Sequence, residues 1–416
     1  MTGFACVPKN GPDSSKATSK PGDVRQSTDD KHHDNLQTFT LLLQEGKYDQ
    51  VNSILEIPGK KYLLAGVTSS SEISGTDGYL VIIDEQGRKT LEKTYPLPGD
   101  QYFYSLVSAP DNGYMILGVV KTPGKEDWDL YLVKMDADLN QVWEKSFGGN
   151  GVEDCNELIR TRDGGYAFAG HTDSMGNGKY DFYVVKLDKA GSTEWEKTYG
   201  TEAPEIARAI IQTRDDGYLV AGHGGPSRQQ VLVKKINSRG EEQWSRIYGD
   251  DLANYVNSIT ETVDGNYLLA GMRQYNVNEK QAAYSIYLLK IKGDGTKILE
   301  KNFTYEGRMV SLAQSIRRTL DGNYIIGGAV QHAEDIGLDM AVLKIDPDGK
   351  LIWKKVFTYA GGSYTNIALP VSDGGYLAGG YASRKVVQED KGINRVLYLG
   401  RYGFVVKFNS YGEINP

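Results

Sequence analysis

A chain of 416 residues with 54 acidic and 47 basic side chains carries a formal charge of −7, and its 49 glycines stand against only 13 prolines. The length supplies a large core, glycine far above its usual ~7% without a collagen period means many tight turns, and mild acidity with no dense basic cluster excludes the electrostatic footprint of nucleic-acid binding. Two cysteines exclude a disulfide scaffold and a Cys-x-x-Cys zinc site, and the longest uncharged apolar run, 38–43, falls far short of the ~20 residues of a membrane-spanning helix.

In chain order, residues 1–36 come first. Lys9 to Asp34 is rich in Ser, Lys, Asp, Gly and Pro with almost no aliphatics, so this segment reads as a disordered tether. A strand is expected over 37–43. After it a phrase of the form Asp-Gly-Gly-Tyr-x-x-Ala-Gly recurs, with its tyrosine at Tyr62, Tyr114, Tyr166, Tyr218, Tyr267, Tyr324 and Tyr376, at gaps of 52, 52, 52, 49, 57 and 52. Three residues before that tyrosine stands an aspartate in every copy but the first, which has Gly59; four after it stands a glycine in all seven. A second phrase follows, as in Tyr183-Val-Val-Lys-Leu-Asp188, Gly191 and Trp195-Glu-Lys-Thr-Tyr199. Its lysine recurs in six copies, which marks a scaffold device rather than a single site.

Alternation and β-branched or aromatic content make each copy four short strands, with Asp-Gly turns suited to tight hairpins. No helix is expected anywhere. Seven meanders of about 50 residues predict an all-β fold, a seven-bladed β-propeller of four-stranded antiparallel blades over 37–416. A ring must hide its last edge. Fourth-strand tryptophans precede the next copy's first aliphatic by 15 residues (Trp143 to Leu158, Trp195 to Ile210), and 15 residues before Ile54 stands Phe39. The last copy ends at Pro416 without its own fourth-strand aromatic, so the N-terminal strand is expected to complete blade seven.

These two phrases resemble the repeat units of bacterial and archaeal secreted or lipid-anchored β-propeller proteins, over about residues 37–412. In such families the repeat specifies the scaffold and says little of the ligand. The Gly327-Gly328 to Trp353 stretch is similar to kelch repeats, and Asp188-x-x-Gly191 with Trp195 to quinoprotein docking motifs; seven copies and no adjacent cysteine pair stand against the latter. Cys6, directly after Ala5 and ahead of the tether, resembles the acceptor cysteine of a bacterial lipoprotein, although Gly3 replaces the usual aliphatic. Lipidation at Cys6 and an extracytoplasmic place at the cell envelope are the corresponding expectations.

The hairpin turns between strands one and two and between three and four share one face and are nearly identical. The opposite face carries unlike loops, including a blade-seven insertion over 382–402 that reads as a gate, and unlike loops on a rigid frame are where binding residues sit. Twelve residues before the anchor tyrosines, Tyr102, Asp154, Tyr255 and Tyr364 are expected around one funnel, with Glu205 and Arg308 from the adjoining links. Aromatic faces with a carboxylate suit a glycan or peptide ligand. Acidic residues dominate those links, which disfavours polyanions.

His171 and His223 share a register on adjacent copies but lack a third ligand, so no metal or other cofactor is expected. Cys155 stands where other copies are apolar and is expected to face the blade interior. With no nucleophile elbow, P-loop or HExxH, the chain reads as a monomeric, non-enzymatic cell-surface binding or scaffolding propeller. The alternative is an exported polysaccharide hydrolase or lyase using Asp154, Glu205, His171 and His223.

Overall fold

Each repeat folds into the antiparallel meander that its alternation and turn glycines demand. The computed structural model describes residues 36–414, except 47, 70–74, 98, 122–123, 125, 226–229, 251, 279–280, 332–336, 360 and 391–392, together with Arg25–Gln26. There are seven sheets and no helix among these residues. The innermost strands of blades 1 to 7 are Asp49–Ile57, Asp100–Ser108, Glu153–Arg160, Glu205–Gln212, Asn254–Glu261, Ser311–Arg318 and Ser363–Pro370. Blade 3 shows how burial follows radius. Its third strand, Asp181–Leu187, is buried at every position, whereas its fourth, Thr193–Tyr199, lies outermost and alternates between exposed and half-buried.

The core is a ring rather than a ball. Seven apolar clusters lie between adjacent blades, each joining the facing surfaces of two sheets. The cluster between blades 7 and 1 unites Leu377 and Val405 with Val51, Ile54 and Tyr62, and Leu43 of the N-terminal strand belongs to it.

Closure follows the spacing argument. Phe39–Leu43 is the outer strand of blade 7, and Phe39 pairs with Lys407 as Trp143, Trp195, Trp244 and Trp353 pair with their own third-strand lysines. A second contact repeats as well. Each of these tryptophans lies under the turn glycine of the following blade, and Phe39 lies in the same way under Gly87 of blade 1. Arg25–Gln26 adds a fifth strand to the outer edge of blade 6, because that edge offers unpaired backbone groups. The 382–402 insertion lies within one long hairpin, Tyr376–Asp390 and Ile393–Phe408. The side chains of Arg384, Lys385 and Arg395 lie outside the described residues, as does Cys6.

The repeated aspartate and lysine explain each other. Lys134, Lys186, Lys235, Lys290, Lys344 and Lys407 are all buried and reach the turn aspartates Asp111, Asp163, Asp215, Asp264, Asp321 and Asp373 at 2.7, 2.9, 2.9, 3.4, 2.7 and 2.5 Å. A buried ammonium needs an opposite charge, which holds the turn against the third strand. Blade 1 has lost both partners together, with Gly59 at the turn and Ile82 in the strand.

Candidate functional site

The glycine four residues after each anchor tyrosine is the starting point of the site. In every blade it pairs with the residue before a β-bulge in the innermost strand, as Gly170 does with Cys155 and Gly222 with Ala207. A Cβ at any of the seven would overlap a backbone carbonyl oxygen of that strand, so only glycine allows the close approach. The bulge leaves one residue unpaired in the ladder. In chain order that residue is Asn52, Tyr104, Asn156, Arg208, Asn257, Gln314 and Asn366.

These seven side chains ring the central channel. Four of them close it: Asn52, Asn156, Asn257 and Asn366 each donate through Nδ2 to the next blade's backbone carbonyl, of Phe103, Ala207, Ala313 and Val51, all at 2.8 Å. The carboxamides thus satisfy inner-edge carbonyls that have no strand partner, including the one across the seam from blade 7 to blade 1. Tyr104, Arg208 and Gln314 break the pattern, and departures from a scaffold pattern are where specificity resides. The Arg208 guanidinium donates to Asn156 Oδ1 at 2.8 Å, while its buried Nε has no partner.

A cavity of about 230 Å³ sits on this ring, bounded by Gln50, Tyr104 and Arg208. A smaller one of about 80 Å³ lies next to it, towards Glu157 and Arg317. Those two side chains, from blades 3 and 6, form an ion pair at 2.9 Å across the channel. Burial raises the Glu157 carboxyl above its ordinary range and Arg317 opposes that rise. The pair floors the chamber. A wider cleft of about 1020 Å³ lies on the turn face between blades 1 and 2, beside Ile82, Leu91 and Tyr114. Its lining mixes aliphatic side chains with Glu56, Lys61, Asp138 and Arg160 beside the blade that lacks the Lys–Asp pair.

Four of the residues expected around the funnel have these surroundings. Tyr102 packs on Tyr104 and Trp128, with ring centroids 6.1 and 5.6 Å away. Tyr364 lies parallel to Tyr381 at 5.4 Å and accepts a hydrogen bond from Gln314. Arg401 caps the Tyr381 ring at 4.1 Å and donates to the Tyr48 hydroxyl at 2.6 Å. Tyr255 meets the His223 ring edge-on at 4.8 Å. Asp154 accepts the Cys155 N–H at 2.8 Å, and burial raises its carboxyl despite the opposing charge of Arg208.

Glu205 lies otherwise than expected: it is 2% exposed and accepts from Thr201 N and Oγ1 at 3.0 and 2.6 Å. Its position precedes the funnel residue by one, and in a strand that alternation turns the side chain to the other side. Arg308 pairs with Asp339 at 3.1 Å and donates to the Gln331 carbonyl. Cys155 is 2% exposed, and burial raises its thiol well above the ordinary range.

His171 and His223 are 7% and 5% exposed, and the Nδ1 of each lacks a hydrogen-bond partner. Burial, then the charge of Arg208, lowers them to about 4 and about 3, so both are neutral at neutral pH. Among the described residues no group of three or more His, Cys, Asp or Glu is placed to hold a metal. The unfolded histidine, near 6.5, takes up a proton where the folded one does not, so these residues contribute stability that is lost as pH falls from about 6.5 to about 4. Replacing both with Gln should flatten the fall of Tm over that range relative to the parent. Parallel Tm curves would refute buried, neutral histidines.

The carboxamide ring is what the sequence reading missed. Its signal was present, since five of seven copies carry Asn or Gln ten residues before the anchor tyrosine.

The closed ring, inter-blade clamps and polar channel define this protein as a seven-bladed β-propeller. No family model matches the chain, and a search of curated proteins finds no relative. The chain is similar in fold to a periplasmic gluconolactonase of Pseudomonas aeruginosa, at TM-score 0.51 and 13% identity, covering 85% of this chain and 98% of that one. A protein of unknown function from Dyadobacter fermentans matches at 0.48 and 10%, covering 94% of this chain and 100% of that one. The WD40 domain of Neurospora crassa Pan2 matches at 0.49 and 10%, covering 89% and 98%. At such identities the likeness concerns the fold alone.

Proposed function

We propose that the protein is a glycan-binding propeller of the cell envelope, acting at the loop-side mouth of its central channel and not by chemistry of its own. The observation that carries this reading is a chamber edged with carboxamides and with Tyr104, on which Tyr102 packs in turn against Trp128, while the Tyr364 and Tyr381 pair meets it through Gln314. Aromatic faces stack on the apolar faces of sugars, and carboxamides donate to and accept from hydroxyls. The resemblance of the repeats to secreted or lipid-anchored propellers supports the location, with Cys6 as the proposed anchor.

Tyr102 and Tyr255 are the rings to test, because Tyr364 is engaged by Tyr381 and Gln314. Replacing both with alanine should weaken oligosaccharide binding about tenfold or more, at roughly 1 kcal/mol per ring, while Tm changes little. Binding that survives this change but is lost on altering the turns at Asp163 or Asp373 would move the site to the other face. Release of shortened glycan by the parent, abolished in Asp154→Asn, would establish the hydrolase or lyase reading instead, since the raised Asp154 carboxyl suits a proton donor.

A further inference from the structure

Among the described residues, Arg208 lacks the carboxylate partner that most buried cations of this protein hold. The six buried third-strand lysines each face an aspartate, Arg317 faces Glu157, Arg308 faces Asp339, and Arg273 reaches Asp250 and Glu300. Among the described residues Arg208 has no carboxylate within ion-pair distance, Asp154 included, although it is partly buried and its Nε is enclosed without a partner. It is also the one charged member of the seven-residue ring, where the other blades place Asn, Gln or Tyr. A guanidinium removed from water without a counter-ion is costly, and such a residue persists where something supplies the missing charge.

Its surroundings select the kind of anion. The histidines nearest to it in charge are neutral, and the acidic links at the rim are already engaged: Asp100 accepts from Thr76, Asp250 from Arg273 and Glu205 from Thr201. Arg208 therefore offers its positive charge to a negative group, while Arg401, which reaches Gln50 of the same cavity at 3.2 Å, is turned onto the Tyr48 and Tyr381 rings. Size narrows it further. The cavity of about 230 Å³ is on the scale of a single sugar ring. Carboxamides of Asn52, Asn257 and Asn366 edge the remainder, and these read hydroxyls.

We propose that this chamber is a subsite for one acidic monosaccharide unit, a uronate, whose carboxylate pairs with Arg208 while its hydroxyls meet the carboxamide ring. The proposal rests on the reading of the mouth as a glycan site and names the unit that enters deepest. A planar carboxylate matches the guanidinium fork, which a lysine would not reproduce.

The test uses the full chain with D-glucuronate and D-galacturonate, against D-glucose, glucose 6-sulfate and glucose 6-phosphate, by calorimetry or saturation-transfer NMR. A uronate should bind at least tenfold more tightly than glucose, and its affinity alone should weaken as salt rises. Arg208→Gln places in blade 4 the residue that blade 6 already carries at Gln314, so it should fold as the parent does. This variant should lose at least tenfold in uronate affinity and leave glucose unchanged. Uronate binding equal to that of glucose, or undiminished in Arg208→Gln, would overturn the proposal. A stronger Arg208-dependent response to the sulfate or phosphate ester would replace the uronate by that ester. Tyr102-dependent binding of neutral oligosaccharides with no preference for acid would sink the subsite and keep the mouth. Arg208-dependent uronate binding without any oligosaccharide binding would do the reverse, and if nothing binds, both fall.

Discussion

Deleting residues 37–43 should destabilise the protein by about 5 kcal/mol or more and make it aggregate. The strand carries Leu43, which is 1% exposed, together with half-buried Phe39, Leu41 and Leu42 in the clusters that join blade 7 to its neighbours. Fully burying one such side chain stabilises by roughly 1.5–3 kcal/mol, so the segment represents a large share of the ~5–15 kcal/mol that holds a domain folded. The loss has a second part. Ile393–Phe408 would become an open edge along Gly403 to Lys407, whose unpaired backbone groups are a template for pairing between molecules. Thermal melting with light scattering measures both effects. A deletion variant that melts with the parent and stays monodisperse would mean that the ring does not depend on this strand. A milder companion is Phe39→Trp, which installs the residue of the other blades under the turn glycine and should leave Tm within a few degrees.

The second large effect is expected at Asp373→Ala. Lys407 is 1% exposed in its side chain and Asp373 20%, and they meet at 2.5 Å. Removing the carboxylate leaves an uncompensated buried ammonium, a change that costs about 3–5 kcal/mol. Blade 1 predicts the remedy, because it manages with Gly59 and Ile82. The double change Asp373→Gly with Lys407→Ile should recover most of that loss, and chemical denaturation of the two singles and the double forms the cycle that measures it. If the double variant is as unstable as the sum of the singles, the pair is not the unit that the repeat preserves.

The two variants also probe different parts of the architecture. The first tests a contact between sequence-distant ends; the second tests a contact that each blade makes within itself. Only the first should change the association state, since a broken Lys–Asp pair opens no strand edge.

What the sequence by itself determined was everything that repeats. Seven anchor tyrosines at near-equal gaps specify seven blades, turn glycines specify the hairpins, and the place of Phe39 in the tryptophan spacing specifies closure, since each is a local or periodic constraint that the chain writes out several times. The joint loss of aspartate and lysine in the first copy was likewise visible, although the ion pair that explains it is a contact across strands. What only the tertiary structure decided was the site. Strand alternation is legible in the sequence, but one residue of phase separates the register of Asp154 from that of the inward-turned Glu205. The bulge opposite Gly222 exists because a glycine, with no Cβ, lets the strand carbonyl approach, and it leaves Arg208 out of the ladder at the channel. The pairing of Glu157 with Arg317, separated by 160 residues, exists only because a closed ring brings blades 3 and 6 face to face. Convergence of unlike residues on one point is a property of closure, and no single repeat contains it.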